Sequence, residues 1–379
     1  MTFLLAAAAV AEAPENPLWN PGMHAYWAVV AAIFGLFLGS FYNVCIYRIP
    51  AGLSINNPKR SFCYRCGSMI EWLDNIPVLS YLILRGRCRN CGASFSPRYM
   101  IVELLTGGLF LWTFLSFNPT ADEPFRIETV WFMVFASLLI IGTFTDLDTW
   151  IIPDGITIGG TVAALVAAAV IGVFDAVPLL SLYGPFPVIR LHEEGGDGFL
   201  MFLALLNGPI RLGLDAATFQ WWEPLANSVI GAVFGPALLY GIAVGGKFIF
   251  RKDAMGMGDV KLFALIGASL GITGSLVTLF LACVFGAVAG GIGVLVGRLK
   301  SAPSFVLQEG PRSLPPRDEP PPGVTEADRD VRKLAALGQM IPRGKSVHHL
   351  PFGPWIALGA LVVVLFRNDV HWLMMKWMS

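Results

Sequence analysis

The chain has 379 residues, of which 55% are hydrophobic and 14% charged, with a mean hydropathy of +0.65. That composition excludes the two or three soluble domains such a length would otherwise hold, since soluble domains carry roughly 25% charged residues. Basic and acidic residues balance at 26 each, so the placement of charge is informative and its sum is not.

Taken in chain order, Met1 to Val10 is a short apolar run with no basic residues before it, and Ala11-Glu12-Ala13 only loosely resembles a signal cleavage site. Residues 1–24 are expected to remain as a disordered or interfacial extracytoplasmic segment. Eight apolar stretches then approach or exceed the roughly 20 residues that a helix needs to cross a bilayer. They lie at approximately 25–46, 101–117, 129–146, 155–179, 225–249, 259–273, 275–297 and 351–368, the sixth being short and joined to the seventh through a Gly271–Gly274 turn.

Basic residues at span ends set the orientation. Residues 47–100 carry Arg48, Lys59, Arg60, Arg65, Arg85, Arg87, Arg89 and Arg98 against Glu71 and Asp74, which places them in the cytoplasm and the N-terminus outside. Alternation from there puts 118–128 and 180–224 outside, the latter with Glu193, Glu194, Asp197 and a Trp221-Trp222 pair suited to the membrane interface. Lys247, Arg251, Lys252, Arg298 and Lys300 fall inside. Residues 301–348 are rich in Pro and mixed charge and read as a flexible cytoplasmic linker before a last span within 349–379. The expected fold is an all-α polytopic membrane protein of about eight transmembrane helices, with residues 101–300 as its core and 47–100 as a small cytoplasmic module.

The module holds Cys63-x2-Cys66 and, after 21 residues, Cys88-x2-Cys91. Two such pairs have the spacing of a tetrahedral zinc site, and a cytoplasmic location argues against disulfides; redox-active thiols are the alternative. Four thiolate ligands leave zinc no open position, so its role would be structural, stabilising a segment too small to fold on its own core. Cys45 and Cys283 lie in spans and are expected to pack as apolar residues.

Asp146-Leu147-Asp148 ends the third span on the cytoplasmic side, followed by Ile152-Pro153-Asp154, and Gly256-Met257-Gly258-Asp259-Val260-Lys261 opens the sixth on the same side. Acidic residues at a membrane boundary are costly and ask for a function. Two carboxylates brought together can share a proton, one activating water while the other polarises a scissile carbonyl. Residues two apart on a helix point to different faces, so one of Asp146 and Asp148 is expected to face Asp259. Gly256 and Gly258 would let backbone approach a peptide closely, Lys261 would bias the local field, and Asp154 reads as the N-cap of the fourth span.

The runs Gly39-Ser40-Phe41-Tyr42-Asn43-Val44 to Arg48-Ile49-Pro50, Asp74-Asn75-Ile76-Pro77-Val78-Leu79-Ser80 to Arg85-Gly86-Arg87-Cys88, and Arg98-Tyr99 with Val102-Glu103-Leu104 resemble bacterial type IV prepilin peptidases. The Asp146 and GxGD motifs complete the resemblance, which implies an inner-membrane enzyme. It would cut the basic leader from type IV prepilins or type II secretion pseudopilins, then methylate the new N-terminus with S-adenosylmethionine. No nucleic acid partner is implied. Carried over by motif, the catalytic pair is Asp146 and Asp259, with Asp146 preferred to Asp148 for its distance from the Ile-Pro pair. No Gly-rich nucleotide fingerprint is present. A methyl-transfer site would therefore be built from the module, with Asn43, Arg48, Glu71, Arg87 and Glu103 as candidates. Each is equally suited to a structural role: Asn43 to a helix end, Glu103 to pairing with Arg98. Met100 replaces the usual proline, and the 180–224 and 301–348 stretches are longer than usual.

Three other readings compete. They are a peptidase that has lost methyl transfer, a proton- or ion-coupled transporter using the same aspartates, and a zinc-module scaffold without chemistry.

Overall fold

The computed structural model describes residues 21–117 (apart from 51, 53, 57–59, 64, 65 and 67), 127–174, 223–251, 256–299 and 351–366. The N-terminal residues 1–20, residues 175–222 of the expected fourth span and insert, and the 301–348 linker lie outside the described residues.

The described chain is helical, with α1 (Pro21–Arg48), a short α2 (Leu79–Ile83), α3 (Arg98–Phe117), α4 (Ile127–Thr149), α5 (Asp154–Phe174), α6 (Glu223–Phe250), α7 (Met257–Leu299) and α8 (Gly353–Leu365). Five of them, α1, α3, α4, α6 and α7, are long and apolar enough to cross a membrane, while α5 and α8 contribute shorter apolar stretches. The expected sixth and seventh spans run together as α7, which is interrupted at Gly271 (φ 69°, ψ −168°), a conformation open to glycine and strained for other residues. Among the described residues the eight expected spans thus correspond to five long and two shorter apolar helices, one of the long ones broken. Among the described residues the only β pairing is two isolated bridges in the cysteine module.

Without a water-driven hydrophobic effect between helices in lipid, close association relies on small residues that let backbones meet. Two seams are built this way. On α1, a side chain at Gly35 or Gly39 would collide with the α3 backbone at Gly107 and Glu103. On α6, Gly231 and Gly235 lie one turn apart against the carbonyls of Gly267 and Phe263 on α7. Ser228 adds a buried hydrogen bond from its hydroxyl to the Ala268 carbonyl at 2.7 Å. Around these seams α4, α5, α7 and α8 share one apolar core that includes Phe135, Leu139, Phe263, Leu265, Ile266 and Ile356. The core fixes the ends of α4, α7 and α8 relative to one another.

Gly231→Ala should therefore destabilise the protein by about 2 kcal/mol, as overpacking does. Gly241→Ala, on the same helix with nothing within 4 Å of the added methyl, should not. Thermal unfolding of the two variants in detergent checks this.

Candidate active site

The four cysteine sulfurs lie within 4.8 Å of one another. Cys63 and Cys91 approach to 3.7 Å, close to the edge of about 3.8 Å that a tetrahedron of 2.3 Å zinc–sulfur bonds requires. The two pairs are built alike: the Cys63 N–H donates to the Ser68 carbonyl and the Cys88 N–H to the Ala93 carbonyl, while Phe62 bridges Met69 and Arg87 bridges Ser94. Gly92 takes the left-handed turn (φ 67°) that closes the second knuckle. Slight desolvation opposes ionisation of the exposed Cys66, but hydrogen bonds with Ser68 (Oγ at 2.6 Å), Cys91 and Cys63 outweigh it and bring the thiol down to about 6. This cluster is able to hold a metal ion.

The module is tied to the helices by the residues singled out in the sequence. Arg48 is buried at the end of α1, where its guanidinium donates to the carbonyls of Ser54 and Ile55 (3.2 and 2.9 Å) and lies over Phe62. Asn43 donates to the Tyr99 carbonyl in the first turn of α3 (3.0 Å). Glu103 does not pair with Arg98, as its position suggested. Its Oε2 instead accepts the Val78 N–H at 2.7 Å, at a residue held at φ 61°, where a β-branched side chain needs such an anchor. Asp74 takes Arg89 on both oxygens (2.6 and 2.7 Å), and this pairing holds its carboxyl below the usual range.

Between the module and the ends of α1 and α3 lies a cavity of about 430 Å³. Asn43, Arg48, Glu71, Arg87 and Glu103 all line it, with Tyr47, Tyr81, Tyr99 and Asp74. Glu71 and Arg87 are exposed at its rim, and Glu103 is buried at its base.

The aspartates are sorted by the rotation of α4. Asp148 turns toward α3, where Arg98 donates to it, to the Phe144 carbonyl (3.3 Å), and stacks over the Phe144 ring. Asp146 turns the other way and is buried, as is Asp259 in the first turn of α7. The two carboxyls meet at the start of α8. A Cβ built on Gly353 would stand 2.5 Å from Asp146 Oδ2 and 3.3 Å from Asp259 Oδ1. The Gly353 N–H faces the Asp146 carboxylate, while Asp146 Oδ2 itself has no hydrogen-bond partner among the described residues. Trp150, at φ 59°, ends α4 and directs the chain through Ile152 and Pro153 into α5.

Asp154 is the first helical residue of α5 and not its N-cap, the position held by Pro153, and its carboxylate accepts Lys261 at 2.6 Å, so Lys261 spans two helix starts. A Cβ on Gly258 would meet Ile152 at 3.5 Å, and one on Gly256 would stand 3.9 Å from Asp259 Oδ2. The chain's own packing therefore does not compel glycine at either position. Cys45 is buried as expected, whereas Cys283 is exposed on the outer face of α7. Gly353 was not singled out in the sequence. Its signal is an aromatic–glycine pair between Pro351 and Pro354 at the mouth of the last span.

Residues 33–117 match the bacterial peptidase A24 N-terminal domain, and residues 197–291, which include Asp259, match the type IV leader peptidase family. A prepilin leader peptidase/N-methyltransferase of Myxococcus xanthus is 33% identical over 361 residues, covering 89% of this chain and 90% of the relative. The chain belongs to the type IV leader peptidase family. Proteins of the same description from Klebsiella pneumoniae and Neisseria gonorrhoeae are 31% and 30% identical, covering 65% and 69% of this chain and 86% and 80% of their own lengths. No solved structure gives a significant match. Family membership and the five long apolar helices make this a multi-pass inner-membrane protein.

In this family member the Arg98–Asp148 pair is largely buried, with side-chain exposures of 25% and 19%. Removing Arg98 alone leaves a carboxylate with no counter-charge. Arg98→Leu should cost about 3 kcal/mol, and the double variant Arg98→Leu/Asp148→Leu should recover much of it; a double-mutant cycle on thermal unfolding measures the difference.

Proposed function

We propose that the chain cleaves the basic leader from type IV prepilins or type II secretion pseudopilins with Asp146 and Asp259, at the cytoplasmic membrane face, and then N-methylates the new terminus. The observation that carries the reading is the convergence of both buried carboxyls on Gly353. Paired carboxyls at that range share one proton. The ionised member draws a proton from water as the oxygen attacks the scissile carbonyl, and the protonated member hydrogen-bonds the carbonyl oxygen as charge develops. Collapse of the tetrahedral adduct breaks the C–N bond, and the amine leaves with a proton returned by the pair. Asp148, occupied by Arg98, supports the end of α4. Lys261, through Asp154, ties the starts of α5 and α7 together behind Asp259.

A transporter would carry its ionisable residues near the bilayer midplane. Asp146 is in the last turn of α4 and Asp259 in the first turn of α7, which favours chemistry at one face. The basic residues of the module favour a cytoplasmic location for that face, with the N-terminus outside.

For the metal, the sulfur tetrahedron fits zinc held by Cys63, Cys66, Cys88 and Cys91 in a structural role. For methyl transfer, the cavity falls within the 300–1,000 Å³ range of small-molecule sites, and its aromatic and acidic lining suits a cationic sulfonium. Bound there, S-adenosylmethionine would supply the methyl group. Glu71 and Arg87 would orient it at the rim, while Asn43, Arg48 and Glu103 hold the walls by the backbone contacts described above.

Prepilin cleavage in proteoliposomes should fall by about 100-fold or more in Asp146→Asn and Asp259→Asn, and persist in Asp148→Asn. Unimpaired cutting by the first two variants sinks the assignment. Purified protein should carry about one zinc per chain, lost in Cys88→Ser. Glu71→Gln and Arg87→Ala should weaken S-adenosylmethionine binding in calorimetry while cleavage stays near wild type. A wild type that cuts and neither binds the donor nor methylates would identify a peptidase without methyl transfer.

A further inference from the structure

The geometry at the start of α8 points to one more component of the peptidase centre. We propose that Gly353 is a positioning residue: its missing side chain lets the start of α8 close against both carboxyls and so fixes where they meet. The inference rests on the reading of Asp146 and Asp259 as the catalytic pair.

Glycine at 353 is a requirement of space and not of backbone. The positive-φ glycines among the described residues are Gly52, Gly86, Gly92 and Gly271, so Gly353 holds a conformation open to any L-residue. A methyl group there would nevertheless lie 2.5 Å from Asp146 Oδ2, 3.2 Å from its Cγ and 3.3 Å from Asp259 Oδ1. Both carboxyls are buried, at 6% and 9% exposure, so neither has solvent into which to swing away. The obstruction would fall first on the two reacting groups. At Gly286 on α7, which faces the same turn of α8, an added methyl meets Trp355 only at 3.7 Å.

The hydrogen-bonding ledger of the first turn agrees. The N–H groups of Trp355 and Ile356 are both satisfied by the Phe352 carbonyl (3.1 and 3.2 Å), and Pro354 has none. That leaves the Gly353 N–H, one of the donors a helix start cannot satisfy internally, beside the Asp146 carboxylate. Asp146 Oδ2, buried and without a hydrogen-bond partner among the described residues, is the atom that an added methyl would strike first.

The test uses the full-length enzyme in proteoliposomes, comparing Gly353→Ala with Gly286→Ala, Asp146→Asn and Asp259→Asn. Cleavage kcat and KM are read beside N-methylation of a pilin already stripped of its leader, and beside thermal unfolding. Gly353→Ala should lower kcat by about 100-fold, the scale set by misplacing reacting groups by an ångström. Its KM for prepilin and its methyl transfer should stay at wild-type values while unfolding moves to lower temperature, and Gly286→Ala should match wild type throughout. Cleavage within tenfold of wild type by folded Gly353→Ala, with both aspartate variants inactive, overturns this inference alone. Cutting by the aspartate variants overturns the underlying pair as well. If Gly353→Ala unfolds and loses methyl transfer, Gly353→Ala/Asp146→Ala decides. Recovery of fold and methyl transfer places the clash at Asp146 as proposed, and continued unfolding overturns it.

Discussion

A carboxyl buried at the end of an apolar helix is placed by its packing and not by water, and Asp146 packs against the first residue of α8. This contact constrains the rest of the arrangement. It requires α8 to start at the depth where α4 ends, and it requires Asp259 to open α7 at the same level. The shared apolar core of α4, α5, α7 and α8 meets those demands, and the glycine seam between α6 and α7 fixes α7 in turn. Large side chains in the core set distances between helices, while glycines set how far backbones close, and both are needed to bring three helix ends to one point.

The two chemistries inferred for the chain occupy different kinds of structure for a physical reason. Proton transfer between carboxyls needs groups fixed to a fraction of an ångström, and rigid helix ends provide that. Capture of a soluble methyl donor needs a cavity that opens to water, and a small module pinned by four sulfurs provides that with little core of its own. Arg98 joins the two. It opens α3 beside the module and places its guanidinium on Asp148, two positions from Asp146 in the same helix.

Much of this was legible from the residues because it depends on local spacing. The CxxC pairs bring their sulfurs together through a turn of a few residues, and the apolar runs become helices because a bilayer leaves backbone groups no other partner. The separation of Asp146 from Asp148 follows from helical rotation, and the partner that draws Asp148 away, Arg98, was visible as a basic residue at the start of the preceding helix. What could not be read was contact across the fold. Glu103 was expected on Arg98 and instead anchors Val78, because a left-handed turn far from it in sequence needs an acceptor for its N–H. Gly353 fell inside the expected 351–368 span with nothing to single it out. Its closeness to two carboxyls exists only once α8 is packed, and no pattern in the chain announces that.

The break at Gly271 bears on how the protein lives in bilayers of unequal thickness. A continuous 43-residue helix would tilt as one rod to match its surroundings and carry Asp259 with it. Interrupted at Gly271, whose carbonyl accepts the Ser275 hydroxyl at 2.7 Å, α7 is instead two rods with different neighbours. The first closes on the glycines of α6, and the second begins against α8, where Gly359 makes room for the Thr278 carbonyl. A break of this kind lets each rod take its own tilt in the bilayer.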